Sequence, residues 1–239
     1  MSAPAQLFTH LPEPAANSCR ILWIRHGETA WNTEKRFQGH LDIPLNDTGH
    51  LQARQLAARL HSAGEHGALK IHSVHSSDLT RAEQTAQALN SALGFEALAL
   101  GTHAALRERH YGALAGLTAD EMAQQHPEVY KKLTQRDPQA PLPGGESLQA
   151  FYDRITQAAQ ALALQHIGHT LAVVVHGGVL DCIYRHTQAL PLQPARTWLL
   201  ANTSVNVIDH SASGWLLRSW GDTLHLEHGG RDEVDQRVA

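Results

Sequence analysis

Two histidines of this chain stand at the ends of apolar runs, and each is followed by glycine. Arg25 and His26 come after the run Cys19–Ile24, and His176 comes after the run Leu171–Val175. Ligands of parallel α/β sheets bind at the carboxyl ends of the strands, so the two imidazoles face one site if their strands are neighbours. Imidazole can act as a nucleophile, and a guanidinium offers paired donors that match phosphate. The pattern favours an anion site, although either histidine alone is better explained as a strand-end residue held by a backbone partner.

Two charged residues elsewhere extend this pattern. Arg81 lies in the stretch SSDLTRAEQTA, just inside a helix that is expected to follow a strand, and Glu108 lies in the polar stretch LRERHYGALAGL. Taken singly, each is explained as a solvated surface charge. Because Arg81 and Arg25 both follow strand ends, they are expected at one edge of the sheet, where two guanidiniums suit the oxygens of a phosphate.

The elements that must position these residues alternate between strand and helix. Apolar runs predict strands at Cys19–Ile24 and Lys70–His75, within Leu98–Leu106, and at Leu171–Val175, Ser204–Asp209 and Trp215–Ser219. Helical spacing and capping residues predict helices that begin near Asn46 and Ser147, that cover Thr80–Leu93, Ala119–Gln125 and Pro127–Leu133, and that pass through Cys182. The alternation predicts an α/β protein, a three-layer α/β/α sandwich with a mainly parallel central sheet.

The chain length of 239 residues favours one large domain, and no linker divides it. Residues 1–18 are rich in Pro, Ala and Ser and are expected to form a mobile N-terminal extension. Residues 19–220 form the predicted domain, and residues 221–239 are expected to form a polar, loosely held C-terminal tail.

Composition argues against several classes of function. The formal net charge is -4 and the basic residues form no stripe, so nucleic acid is not an expected partner. No apolar run reaches the length of a bilayer span, so no membrane association is expected. The cysteines Cys19 and Cys182 are too few for a disulfide framework and suggest buried thiols in a cytoplasmic protein. The 18 histidines are scattered and form no HExxH motif or histidine–carboxylate cluster, so no metal site is expected.

Six stretches, in order along the chain, resemble the histidine phosphatase superfamily, which has the phosphoglycerate-mutase-like fold. They are RHGETAWN, FQGHLDIPLNDTG, SSDLTRAEQTA, LRERHYGALAGL, PGGES and VVHGGV, and they lie between Ile21 and Val179. The tripeptide RHG alone is a weak signal, whereas six blocks in the family's order are specific. The resemblance implies an enzyme that acts on small-molecule phosphate esters without a metal or another cofactor. Because dimers occur in this family, a homodimer is also expected.

The resemblance also implies roles for single residues. His26 is expected to be the nucleophile that forms a phosphohistidine. Glu108 is expected to protonate the leaving oxygen and then to activate water. Arg25, Arg81 and His176 are expected to surround the phosphoryl oxygens and to stabilise the charge of the transition state.

Further binding residues are implied next to the phosphate and at the rim of the substrate pocket. Asn32 and the backbone of Gly177 are expected to donate hydrogen bonds to the phosphoryl group, and Gln38 and Gly39 to lie over it. The rim residues that flank Glu108 are Arg109 and Tyr111. Each also has a purely structural alternative: Arg109 as a solvated surface charge and Tyr111 as an aromatic residue of the core.

The superfamily contains hydrolases and mutases, and three features favour a phosphomonoesterase here. The mutases carry a lysine where this chain continues TADEM after GALAGL, and they carry a longer basic insertion before the proline-rich loop. They also have Gly-Asn where this chain has Gly177 and Gly178. A cofactor-dependent phosphoglycerate mutase, which interconverts 2- and 3-phosphoglycerate, is the alternative. A non-catalytic phosphate-binding protein on the same fold and a zinc-dependent hydrolase are further alternatives.

Overall fold

A six-stranded sheet forms the centre of the structure, a computed structural model that describes residues 8, 11–95 and 100–226. The order across the sheet is β3-β2-β4-β1-β5-β6. The first four strands in the chain pair in parallel, and β5 and β6 add an antiparallel edge. The strands are β1 (Cys19–Arg25), β2 (Ser73–Ser76), β3 (Gly101–Thr102), β4 (Thr170–Val175), β5 (Val205–Ser211) and β6 (Gly214–Asp222).

Helices connect and cover these strands. Two of them begin where helix starts were predicted, after residues whose side chains cap them: Asn46 Oδ1 accepts from the Gly49 N–H and Ser147 Oγ from the Ala150 N–H. The helices of the described residues are α1 (Ala30–Thr33), α2 (Asp47–Glu65), α3 (Thr80–Ala92), α4 (Ala119–Gln125), α5 (Pro127–Thr134), α6 (Leu148–Gln165) and α7 (Gly177–Thr187).

The alternation of side chains along β1 creates the three layers. Ile21 and Trp23 belong to a core cluster with residues of α6 and α7, whereas Leu22 and Ile24 belong to a second cluster with residues of α2 and α3. Successive residues of a strand point to opposite faces of the sheet, so the two helical layers pack on opposite faces. The predicted three-layer α/β/α sandwich is confirmed.

The register of the two central strands positions the residues that follow them. β1 and β4 pair in parallel, with Arg25 opposite Val175. The next backbone bond runs from the N–H of His26 to the carbonyl of Val175, at 2.9 Å. Because both strands end at the same level, His26 and His176 leave the sheet side by side.

The structure differs from the sequence predictions at the edges of the sheet. β2 begins and ends later than Lys70–His75, and β3 has two residues where a run within Leu98–Leu106 was predicted; residues 98 and 99 lie outside the described part. Among the described strands β3 pairs with β2 alone, so little holds this edge in an extended conformation. β6 continues to Asp222, two residues beyond the predicted domain end.

The predicted N-terminal extension and C-terminal tail are described in part. Phe8 and Ser18 are buried, and the guanidinium of Arg59 lies 5.0 Å from the centroid of the Phe8 ring, so these two residues pack against the domain. Residues 1–7, 9, 10 and 227–239 lie outside the described part. No helix of the described residues has the length and hydropathy that a bilayer span needs.

Candidate active site

The ring of His26 is fixed at the carboxyl end of β1. Its Nδ1 lies 2.7 Å from the carbonyl oxygen of Gly27. A carbonyl oxygen only accepts, so Nδ1 carries the proton and Nε2 keeps its lone pair. The centroid of the His176 ring lies 5.2 Å from that of His26. The two imidazoles that were predicted to share a site are adjacent.

Burial and two arginines favour the neutral form of both imidazoles. The pKa of His26 lies well below its usual value, first because the ring is buried and then because Arg81 and Arg25 repel its charged form. Burial, with Arg81 as the next cause, also lowers the pKa of His176 well below its usual value. At neutral pH His26 therefore presents an uncharged Nε2, which is the form that can attack phosphorus.

His176 stands at the N-cap position of α7 without a side-chain capping bond, and it is completely buried. Neither of its ring nitrogens has a hydrogen-bond partner among the described residues. Buried polar groups nearly always have a partner, and a helix N-terminus favours an anion. Both properties suit a bound phosphate or phosphoryl group.

Arg25 and Arg81 are almost fully buried next to this pair of rings. Nη1 of Arg25 donates to the carbonyl of Leu200. Arg81 lies in the first turn of α3, where its Nη1 and Nη2 donate to the carbonyls of Leu41 and Gly39 at 2.9 and 2.8 Å. Burial lowers the pKa of Arg81 to about 10, so the side chain stays charged at neutral pH.

The carboxylate of Glu108 is held by two backbone donors. Oε1 accepts from the N–H of Arg109 at 2.7 Å, and Oε2 accepts from the N–H of Gly178 at 2.9 Å. This approach depends on the missing side chain of Gly178, since a Cβ there would lie 2.2 Å from Oε1. Glu108 and His26 line the same cavity, together with Arg25 and Arg81.

Three of the predicted phosphate-binding residues take distinct places. Asn32 lines the cavity, and its Oδ1 accepts from the Thr29 N–H at 3.0 Å, which leaves Nδ2 as the donor of its amide toward a ligand. Gln38 also lines the cavity, and its buried Oε1 has no partner among the described residues. Gly39 does not line it, and its carbonyl instead anchors Arg81. The expectation that Gly39 lies over the phosphate stays a prediction, and the contact observed for Gly39 is the one with Arg81.

The predicted rim residues Arg109 and Tyr111 line the cavity, and so does Gly177. Nε and Nη2 of Arg109 donate to the carbonyl of Glu146 at 3.1 and 3.0 Å. Arg109 is 7% exposed, and burial lowers its pKa, so the alternative of a solvated charge is wrong. The guanidinium lies 5.8 Å from the centroid of the Tyr111 ring.

Sequence reasoning missed much of the cavity wall. The basic residues of the wall that were not predicted include Lys132, Arg136 and Arg196, and the aromatic ones include Trp31 and Phe37. The basic character of Lys132 and Arg136 was visible in HPEVYKKLTQRDPQ, but no spacing rule placed them at the site. Trp31 and Phe37 lie within the quoted stretches RHGETAWN and FQGHLDIPLNDTG, next to Asn32 and Gln38, whereas Arg196 reaches the cavity from a segment without a motif.

In the described part of the chain, no group of three or more His, Cys, Asp or Glu side chains is placed to hold a metal ion. The histidine-rich stretches instead form ring contacts. Examples are His75 with His103, whose Nδ1 and Nε2 lie 3.1 Å apart, and His72 with His169, whose rings are stacked.

Residues 21–223 match the family model of the histidine phosphatase superfamily, branch 1. With this match over most of its length, and with the fold and site described above, the chain belongs to that superfamily. The predicted family is confirmed.

Three proteins indicate where the chain stands within the superfamily. Phosphoglycerate mutase-like protein 4 of Arabidopsis thaliana is 41% identical over 212 residues, 88% of this chain and 88% of that protein. The metal-independent phosphoserine phosphatase of the same plant is 38% identical over 213 residues, 88% of this chain and 84% of that protein. The native structure of a mycobacterial glucosyl-3-phosphoglycerate phosphatase superimposes with a TM-score of 0.70 at 26% identity, over 86% of this chain and 100% of that chain.

Proposed function

We propose that this protein is a phosphomonoesterase that hydrolyses a small phosphate ester through a phosphohistidine on His26. One observation carries the proposal. The neutral Nε2 of His26 stands beside two buried guanidiniums, Arg25 and Arg81, and beside the unpartnered ring of His176. A phosphoryl group there gains donors for its oxygens and meets a nucleophile at phosphorus.

In the first step, Nε2 of His26 attacks phosphorus and the bond to the ester oxygen breaks. That oxygen takes the proton of Glu108 and leaves as the alcohol. In the second step, Glu108 takes a proton from water, the water oxygen attacks phosphorus, and the phosphorus–nitrogen bond breaks. Phosphate leaves, and His26 regains its lone pair. The support for Glu108 is its place in the cavity wall with His26, where two backbone N–H groups orient its carboxylate.

The rest of the cavity supports a substrate with a second anionic group. Besides Arg25 and Arg81, the wall carries the cationic side chains Arg109, Lys132 and Arg136. Arg136 donates to a carboxylate oxygen of Asp181 at 3.1 Å, whereas Nε and Nη2 of Arg109 donate to a backbone carbonyl. A carboxylate or a second phosphate on the substrate would offset this charge. The similar proteins named for phosphoserine and glucosyl-3-phosphoglycerate have substrates of this class.

Mutase activity is the second candidate, because the 41% identical plant protein is named phosphoglycerate mutase-like. A mutase must retain its phosphohistidine until the bound intermediate reorients, whereas a phosphatase must admit water. The absence of the mutase lysine after GALAGL supports the phosphatase, as does the Gly-Gly pair in place of Gly-Asn.

A panel of phosphate esters, with free phosphate measured, tests the proposal beside an assay of 2- and 3-phosphoglycerate interconversion. The panel includes phosphoserine, 3-phosphoglycerate and p-nitrophenyl phosphate, each with and without EDTA. We expect release of phosphate that EDTA does not reduce, and less interconversion than release. Interconversion faster than release would select the mutase. Loss of activity in EDTA would contradict metal independence.

The cytoplasmic location and the homodimer remain proposals. Both cysteines, Cys19 and Cys182, are free and buried, which supports the view that they act as core residues. Size-exclusion chromatography with light scattering measures the mass in solution, and a mass near 26.2 kDa would contradict the dimer.

A further inference from the structure

The loop 200–204, which joins the region after α7 to β5, contacts the backbone of the proposed nucleophile. It extends the antiparallel pairing of β1 and β5 by further bonds. The N–H of Arg25 donates to the carbonyl of Ser204 at 3.3 Å. The N–H of Thr203 lies 3.0 Å from the carbonyl of Arg25 and 3.4 Å from that of His26. The loop therefore holds the backbone on which both side chains stand.

Asn202 adds a side-chain contact at the same point. Its Nδ2 donates to the carbonyl of His26 at 2.9 Å and lies 3.5 Å from Oδ1 of Asn32. Asn202 is 2% exposed, so its amide is shielded from water. One buried amide thus connects the backbone of the proposed nucleophile with a predicted phosphate-binding residue.

The carbonyl of His26 controls the direction of the ring because of how the next two residues are held. The peptide between His26 and Gly27 is planar, so fixing its oxygen and its N–H fixes the whole plane. Asn202 holds the oxygen, and Oγ1 of Thr85 accepts from the Gly27 N–H at 3.0 Å. The following carbonyl, that of Gly27, receives the proton of Nδ1. A shift of the first plane would therefore move the hydrogen bond that aims Nε2.

Thr203 holds Asn202 in place at a cost in backbone strain. Its φ of 55° lies in the left-handed region, which β-branched residues rarely adopt. Its hydroxyl donates to the carbonyl of Asn202 at 2.8 Å and lies 2.9 Å from Nε2 of His225. Because the hydroxyl proton of Thr203 is donated to the Asn202 carbonyl, Nε2 of His225 must be the donor in its contact with that hydroxyl. The buried Nδ1 of His225 has no partner among the described residues. Strain of this kind persists only where the surroundings determine the conformation, and it concentrates at functional sites.

We propose that Asn202, supported by Thr203 and by His225 from the segment after β6, is a positioning residue that aims Nε2 of His26 at phosphorus. The inference rests on the proposed phosphoryl transfer to His26. The inference also gives a supporting role to His225, which lies in the predicted C-terminal tail.

Asn206 provides a matched control for Asn202. It is a buried asparagine on β5, and its Nδ2 donates to a carbonyl of the same strand β1, that of Trp23, at 3.0 Å. Its bond lies three residues before His26. Nδ2 of Asn206 also lies 3.4 Å from the Ser204 carbonyl, and its Oδ1 accepts from the Gly221 N–H at 2.7 Å. Asn202→Ala and Asn206→Ala therefore each remove a buried amide that donates to a backbone carbonyl, but only Asn202→Ala removes it at His26.

Two measurements compare these variants. The first is the single-turnover rate of phosphohistidine formation, with kcat and KM. The second is the ¹⁵N NMR spectrum of the His26 ring, assigned by the loss of its signals in His26→Gln, which reports the tautomer without any turnover. For Asn202→Ala we expect a rate about 10- to 100-fold lower, an almost unchanged KM, and signals of a second tautomer. For Asn206→Ala we expect a lower melting temperature with the wild-type rate and spectrum.

An equal loss of rate in both variants, or a wild-type rate and spectrum in Asn202→Ala, would overturn the inference. If the wild-type protein forms no phosphohistidine, the proposed function fails, while the spectra still decide whether Asn202 positions the ring. Should Asn202→Ala not fold, Thr203→Gly keeps a left-handed backbone without the hydroxyl and is expected to change the same spectrum. His225→Gln retains a donor and is expected to preserve more of the rate than His225→Ala, and the opposite order would contradict the role of His225.

Discussion

Replacing Gly178 by alanine should disable the proposed general acid without unfolding the protein. The added Cβ would lie 2.2 Å from Oε1 of Glu108 and 3.0 Å from its Cδ. Since Cβ atoms do not approach such atoms closer than 3.0 Å, the carboxylate must move away by about 0.8 Å. The bond from the N–H of residue 178 to Oε2, now 2.9 Å, would stretch or break.

This displacement can be converted into an expected rate. A catalytic group that is misplaced by about 1 Å costs on the order of 100-fold, or about 3 kcal/mol in the activation free energy. We therefore expect the kcat of Gly178→Ala to fall roughly 30- to 100-fold for the best alkyl phosphate of the panel. For p-nitrophenyl phosphate we expect a fall of about threefold or less, because nitrophenolate leaves without a proton.

The expected stability of Gly178→Ala distinguishes a misplaced carboxylate from an unfolded protein as the cause of the lower kcat. Gly178 lies in the first turn of α7, and alanine has a higher helix propensity than glycine by about 1 kcal/mol. Gly64→Ala is the matched control. Gly64 lies in the last turn of α2, where a Cβ would meet the Leu69 carbonyl at an ordinary contact distance of 3.5 Å. We expect the control to keep full activity on both esters. Equal losses of Gly178→Ala on the alkyl and nitrophenyl esters would refute the assignment of Glu108 as the acid, and so would an unchanged rate on the alkyl ester.

Three further predictions concern the nucleophile, the acid and the histidine contacts. His26→Ala should lower hydrolysis of every ester by at least about 1,000-fold and abolish the acid-labile phosphoenzyme, and substantial residual turnover would contradict the mechanism. Glu108→Gln should slow alkyl esters at least tenfold more than p-nitrophenyl phosphate, and matching losses would exclude proton transfer by Glu108. Burial, and then His103 and His166, lower the pKa of His75 to about 4. Below about pH 6.5 the unfolded chain therefore binds more protons at this residue than the folded chain does. The free energy of unfolding should be full above that pH and should fall by up to about 3 kcal/mol as the pH drops toward 4. Urea unfolding at pH 7 and 4.5 should show a smaller loss for His75→Gln than for the wild type, whereas His61→Gln, at an exposed site, should behave like the wild type.

The centre of the fold could be predicted because the residue types along its strands indicate which positions are buried. The run LAVVV is apolar at every position, as a strand covered on both faces must be, and β4 is completely buried. Glycine after each histidine marked the point where a strand ends and a ligand can approach. The parallel pairing of β1 with β4 then brought the two rings within 5.2 Å.

The limits of the sequence predictions have physical causes. The pattern of Ser204–Asp209 indicates a strand, but its direction depends on the path of the preceding connection, so the antiparallel pairing of β5 was not predictable from that pattern. Arg136 and Arg196 enter the cavity wall from segments that carry no motif, and only tertiary packing brings them there. Asn202 lies 176 residues from His26 along the chain. Its proposed positioning role depends on the hydrogen bond from Nδ2 to the His26 carbonyl, which no local sequence pattern predicts.

The two buried arginines have opposite effects on the site before and after a ligand binds. Burial first, and then charge repulsion by Arg81 and Arg25, disfavours the protonated form of His26 and of His176, which keeps the proposed nucleophile uncharged. A phosphoryl dianion would neutralise the guanidiniums, so that repulsion would fall as the substrate enters. His26 would still be able to attack, because a phosphorus in front of Nε2 would block a proton there while the Gly27 carbonyl holds the Nδ1 proton. The same charges can thus keep the nucleophile unprotonated before a substrate binds and stabilise the transferring group afterwards.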